Sequence, residues 1–229
     1  MVNNFFFGIM PYLTLLALIA GMSTFYFGKR LKITSLSSQF LESNLLFWGS
    51  NAFHYGLAVL FCGHLIAFIA PTLLIAWNTN ILRLIIVEII GFSSGLLSFL
   101  GLIILIYRRL IKHNLQIILN SADIALYVLL FVQIFTGLWI AVMNKWGSAW
   151  FASTLTPYNW SVFKFNPDVN LISAMPLSIK LHIVNAFLLI AIIPFTRLIH
   201  FMALPFSYIY RSYILVVWNY KTKESGNYK

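Results

Sequence analysis

The side chains of this chain that could do chemistry are few. There are five histidines (His54, His64, His113, His182 and His200), five acidic residues and a single cysteine, Cys62, in 229 residues. The stretch "SNAFHYGLAVLFCGH" sets His54 and His64 ten residues apart in an otherwise oily run. A second run, "KLHIVNAFLLIAIIPFTRLIH", sets His182 and His200 eighteen apart. Each imidazole carries two ring nitrogens, and hydrocarbon offers partners to neither. Two histidines on each of two facing helices are what a pair of six-coordinate haem irons needs, one imidazole for each axial position. Covalent c-type attachment requires C-x-x-C-H, whereas "FCGH" has one cysteine in the wrong register, so such haems are held non-covalently. The lone cysteine also excludes an internal disulfide or a thiolate metal cluster and reads as a small buried filler.

These histidines need long helices to position them, and the composition supplies them. The chain is 61% hydrophobic and 9% charged, against the roughly one-quarter charged residues of a soluble domain. The fold class is therefore all-α, an integral membrane bundle forming one domain over residues 1–229. Five apolar segments are long enough to cross a hydrocarbon core of about 30 Å. They are residues 5–27, 45–70 (stopped by Pro71), 84–107, 123–143 and 176–200, with 201–229 a tail on the inner side. The first lacks a basic start and a cleavage site of small residues, so it reads as a retained span. Asp123 stands where the fourth helix wants an N-cap.

A net charge of +10 would suit nucleic acid, but the basic residues lie between the apolar runs, as membrane topology and headgroup contact require. With the N-terminus outside, the inner side receives eleven Lys and Arg: Lys29, Arg30, Lys32, Arg108, Arg109, Lys112, Arg197, Arg211, Lys221, Lys223 and Lys229. The outer side receives four, Arg83, Lys145, Lys164 and Lys180. The expected orientation is N-terminus outside and C-terminus inside, in the inner (cytoplasmic) membrane. The long connection from Asn144 to Met175 is then outside, and its "WGSAW" and "YNW" suit the headgroup belt. The aromatic, cationic tail "YIYRSYILVVWNYK" suits the inner interface or a partner subunit. His113, in the basic loop "RRLIKHN", reads as solvated.

In that topology the second and fifth spans are antiparallel. His54 and His200 share the inner side, His64 and His182 the outer. At 1.5 Å per residue, His54 and His64 stand about 15 Å apart along the axis, room to stack two haems. His182 and His200 share one face at about 27 Å, and a kink at Pro194 can absorb part of the difference. Isolated membrane histidines often serve as interhelical hydrogen-bonders. Four in two facing pairs, in a chain with so few other ionisable groups, point instead to function. Haem propionates need cations: Arg197, Arg108, Arg109 and Lys112 are candidates inside, Lys180 outside. Such a stack is an electron wire between a lipid-soluble donor at one face and an acceptor at the other.

With the histidines placed, the chain resembles the gamma subunits of membrane-bound respiratory nitrate reductases, which are di-haem cytochromes b. The likeness spans nearly the whole length, in "NNFFFGIMPY", "SSQFLE", "SNAFHYG" with "GH" ten residues on, "GFSSGLL", "SADIALYVLL", "KLHIVNAF" and "PFTRLIH" followed by a proline. The resemblance implies two b haems, His54 and His200 ligating the proximal one near the iron–sulfur subunit, and His64 and His182 the distal one near the outer face. It implies quinol as substrate, oxidised beside the distal haem with its protons released outside. Electrons would pass to an iron–sulfur beta subunit and on to a molybdenum-containing alpha subunit that reduces nitrate. Arg83 occupies the place of a lysine in the family's quinol site, a change of both geometry and charge distribution. Gly63, beside His64, either lets a ring approach the helix or serves helix packing. Glu88 has no counterpart in the family pattern; it could accept quinol protons or pair with Arg83 or a neighbouring helix.

Other readings predict different observations. A di-haem b subunit of another quinone-linked enzyme, of hydrogenase or formate dehydrogenase type, would differ in its partner subunits. A nitrite-oxidising relative would run electrons in reverse. A proton or metal-ion transporter would be colourless. A mere membrane anchor would tolerate loss of the histidines.

Overall fold

The computed structural model describes residues 1–27, 44–112 and 120–202. The chain forms two compact units, Met1–Ile199 and His200–Lys229. Of the second, only the opening residues are described, so the inner tail falls outside the described residues, as do Lys29, Arg30, Lys32 and His113.

In hydrocarbon a backbone must satisfy its own hydrogen bonds, which makes each long apolar run a helix. Five helices among the described residues are long and apolar enough to cross a membrane, and no strand occurs there. In chain order the helices are α1 (Met10–Phe27), α2 (Asn44–Ile69), α3 (Pro71–Trp77), α4 (Ile81–Ile111) and α5 (Ser121–Met143). There follow α6 (Gly147–Trp150), α7 (Thr156–Phe163), α8 (Asn170–Ser173), α9 (Leu177–Ile192) and α10 (Ile199–Met202). The spans are α1, α2, α4, α5 and α9. The face of the bundle where α1 begins is called the amino face; short α3 and the connection α6–α8 lie there.

Packing runs from α2 to α4, α4 to α5, α5 to α9 and α9 to α1. No comparable contact joins α2 to α9 among the described residues. The α2–α4 seam is built from small residues, which let two backbones approach without a hydrophobic drive from water. A Cβ added at Gly56 would lie 2.5 Å from the Ser94 carbonyl and Ser98 Oγ, and one at Gly101 would collide with the Phe53 backbone. Ser98 Oγ donates across the same seam to the Phe53 carbonyl at 3.3 Å.

Prolines interrupt three spans, and other elements supply the missing donors. Pro11 has no N–H for the Phe7 carbonyl four residues back. The chain there opens into a π turn, Asn4–Ile9, and the buried Tyr158 hydroxyl donates to Phe7 O at 2.8 Å. Pro71 likewise frees the Ala67 carbonyl, which receives Thr156 Oγ1 at 2.9 Å. Trp160 Nε1 donates to the adjacent Phe68 carbonyl at 3.3 Å, its ring stacked on Phe68 at 5.1 Å. The amino-face connection is thus stapled to α1 and α2 where their own ladders fail. Pro194 ends α9 in a 3₁₀ turn, Ile193–Phe195, with Thr196 extended. The fifth span therefore does not run unbroken to residue 200 as expected. Pro194 packs where Gly21 of α1 has no Cβ.

Three sequence expectations change. α4 is longer than 84–107 because Asn80 caps it early, accepting from Leu82 N at 2.9 Å. The cap of α5 is Asn120, whose Oδ1 accepts from Asp123 N at 2.7 Å; Asp123 sits in the first turn and is buried. Cys62 is exposed, not buried, because α2 turns Gly49, Phe53 and Gly56 toward its neighbours and Cys62 away from them.

Candidate haem centre

His54 and His64 both project from α2 at the protein surface. His54 Nδ1 is 2.7 Å from the Ser50 carbonyl and His64 Nδ1 is 2.8 Å from the Leu60 carbonyl, each four residues back. A carbonyl only accepts, so both rings carry their proton on Nδ1 and present the Nε2 lone pair outward. A backbone partner of this kind orients a metal-ligating histidine and fixes its tautomer. Phe151 of the connection stands edge-on to His64, with ring centroids 5.3 Å apart. A Cβ at Gly63 would meet nothing within 4 Å. Among the described residues no neighbouring helix packs against Gly63, and there is space beside His64.

His182 projects from α9 toward α5. The protonation of His182 can be traced through its neighbours. Asn185 Nδ2 donates to the Leu129 carbonyl at 2.9 Å and to Gln133 Oε1 at 2.7 Å. Gln133 therefore turns its Nε2 toward His182 Nε2, 3.0 Å away, and that ring nitrogen must accept. His182 Nδ1 then carries the proton and donates to Thr136 Oγ1 at 2.9 Å. The Thr136 hydroxyl passes its own proton to the Val132 carbonyl at 2.7 Å. Backbone carbonyls anchor both ends, so the whole chain has one direction. The edge of the His182 ring fits against Gly137, where a Cβ would lie 3.1 Å from Cε1.

Three imidazoles on two spans thus share one tautomer, with Nε2 as the acceptor atom. This donor set fits a haem iron ligated by neutral imidazoles. At His182 the iron would replace Gln133 as partner of the lone pair. His200 opens the second unit, in α10.

The basic candidates separate. Arg108 and Arg109 are both buried at the far end of α4, with Arg109 over the Tyr127 ring at 5.9 Å and its Nε without a hydrogen-bond partner among the described residues. Arg197 Nε donates to Asp123 Oδ1 at 3.0 Å, tying the end of the fifth span to α5. Lys112 is exposed just beyond α4. At the amino face, Lys180 Nζ donates to the Ser173 carbonyl at 2.8 Å. Arg83 lies over the Trp77 ring at 4.9 Å. Glu88 Oε1 accepts from both Ser148 N, at 2.8 Å, and Ser148 Oγ, at 2.7 Å. Of the two roles considered for Glu88, pairing with a neighbouring helix is the one with a visible partner. Sequence reasoning passed over Gln133, Thr136 and Asn185. Their signal was present: polar residues three apart in "QIFT", and another three after His182, inside spans with little other polarity.

Fold and site together define a multi-pass helical membrane protein that carries histidines on two of its spans. The family described as nitrate reductase gamma subunit matches residues 3–219. The chain is 31% identical to the nitrate reductase gamma chain of Bacillus subtilis, covering 91% of this chain and 95% of that one. It is 29% identical to the respiratory nitrate reductase 1 gamma chain of Escherichia coli, covering 93% and 96%. It is also 28% identical to a third of the nitrate reductase-like protein NarX of Mycobacterium tuberculosis, a match covering 98% of this chain and 34% of that protein. The chain belongs to the nitrate reductase gamma subunit family and is a membrane subunit of a multi-subunit nitrate reductase.

Proposed function

We propose that this subunit is a di-haem cytochrome b that oxidises quinol near the outer face and passes electrons to an iron–sulfur partner. That partner would in turn feed a molybdenum-containing subunit that reduces nitrate. The observation that carries the reading is the shared tautomer: His54, His64 and His182 all hold the proton on Nδ1. When bound, haem iron supplies a one-electron couple between its ferric and ferrous states.

The chain's own residues supply position and electrostatics. The α2 carbonyls of Ser50 and Leu60 hold the His54 and His64 rings so that Nε2 faces outward. His64 and His182 serve the outer haem, His54 and His200 the inner. The buried Arg108 and Arg109 are suited to propionates on the inner side, where burial keeps the guanidinium charge strong. Lys112 and Arg197 are secondary there, since one is exposed and the other is shared with Asp123. Gly63 leaves room beside His64 for a quinol ring, and Arg83 at the same face is its candidate polar contact. Glu88 braces the connection above them through Ser148. The orientation follows the basic residues: N-terminus outside, C-terminus in the cytoplasm against the partner subunits.

Redox difference spectra of the complex in its membrane test this. The wild type is expected to show b-type bands that sharpen on reduction. His64→Ala and His182→Ala should each abolish one haem component, and His54→Ala and His200→Ala the other. A colourless wild-type preparation, or losses that do not fall in these pairs, would overturn the assignment.

A further inference from the structure

Three histidines have their Nδ1 protons accounted for, but not in the same way. His54 and His64 give theirs to carbonyls of their own helix, with the Ser50 hydroxyl of that same helix also 3.2 Å from His54 Nδ1. His182 gives its proton to a side chain on another helix, Thr136 of α5, 2.9 Å away. We propose that Thr136 is a positioning residue that sets the electronic state of the outer haem through His182, while Gln133 and Asn185 hold the ligating nitrogen of His182 until iron takes it. The proposal rests on the haem reading above.

A hydrogen bond accepted from Nδ1–H makes an imidazole a stronger donor to its metal and holds its ring plane. A stronger donor favours the ferric over the ferrous state. A backbone carbonyl in the same helix offers little freedom to vary this effect. Thr136 can vary it, because its Oγ1 is itself oriented by donating to the Val132 carbonyl at 2.7 Å. Gly137, next in sequence, leaves space for the ring. The α5 segment Gln133–Thr136–Gly137 thus meets all sides of His182: one residue at each ring nitrogen and one at the edge between them.

Gln133 acts on the opposite nitrogen. An imidazole lone pair facing hydrocarbon costs free energy unless it accepts a hydrogen bond. The Gln133 amide provides that bond, and Asn185, only 5% exposed, holds the amide by its oxygen. Once iron occupies Nε2, Gln133 has no further part in ligand strength, whereas Thr136 keeps its full influence. The two residues therefore differ in what their removal does.

Potentiometric titration of the haem bands in membranes holding the whole reductase separates these roles, with electron paramagnetic resonance of the oxidised haems as a second readout. Thr136→Val should move the outer haem's midpoint upward and change its resonance position, leaving the inner haem unmoved as an internal control for folding. Thr136→Ser, which keeps the hydroxyl, should restore both values. Gln133→Leu should leave the midpoint at the wild-type value. An unshifted outer haem in Thr136→Val, or equal shifts in Thr136→Val and Gln133→Leu, would overturn the proposal. If His182→Ala removes no haem component, the underlying haem reading fails instead.

Discussion

At the scale of single residues, hydrogen-bond donors and acceptors decide roles that residue type leaves open. Glu88 is an acid within a span, and such groups are expensive there unless satisfied. Both its bonds go to Ser148, through backbone and side chain, so one carboxylate oxygen holds the start of α6. An amide keeps an oxygen able to accept those two bonds. Glu88→Gln is therefore expected to fold and to oxidise quinol at the wild-type rate, measured with a quinol analogue; a large loss of turnover would revive a proton-accepting role. Glu88→Leu leaves the Ser148 N–H and hydroxyl proton without their acceptor, though Ser148 Oγ still accepts from Asn78 Nδ2, and should cost about 1–3 kcal/mol of stability, read as a lower melting temperature in detergent. Asp123 and Arg197 teach the same lesson. Each was read alone, as a cap and as an anchor or propionate contact, yet they bond to each other.

At the scale of elements, close approach and broken ladders govern the bundle. Gly101 and Gly56 bring α2 against α4 so tightly that any Cβ meets backbone. Gly101→Ala should therefore push α2 outward at a cost of about 1–3 kcal/mol. Because α2 carries His54 and His64, both haem bands should weaken together, which spectra and a thermal melt can check side by side. Tyr158 illustrates the other device. Tyr158→Phe leaves the Phe7 carbonyl without a donor, since Pro11 cannot supply one, and should destabilise by about 1–3 kcal/mol. Burial first, then neighbouring Tyr12, pushes the Tyr158 phenol above its ordinary 10.0. The unfolded phenol ionises first, so its contribution is intact below about pH 10 and declines as pH rises further. Melting curves across that range should show a steeper alkaline loss in the wild type than in Tyr158→Phe.

At the scale of the whole molecule, the row of packed helices leaves α2 and α9 without an extended mutual contact. Three of the four proposed ligands, His54, His64 and His182, belong to these two spans. The proposed topology predicts that a fluorescent reporter active only in the cytoplasm will light up when fused at the C-terminus. A reporter active only after export should work when inserted between Lys164 and Asn170. The reverse pattern would invert the orientation and exchange the two haem positions.

Much of this was legible in the amino-acid order. The five spans follow from apolar runs too long and too poor in charge for anything but helices in lipid. Local periodicity carries that information because a helix in hydrocarbon must satisfy its own backbone. The tertiary structure alone decided which proton each imidazole holds, and that the partner of Thr136 is His182. It alone decided that Thr156 and Tyr158 answer to carbonyls freed by prolines, 89 and 151 residues away along the chain. Those are bonds between groups distant along the chain, and their partners are chosen by packing, which no single stretch of sequence contains.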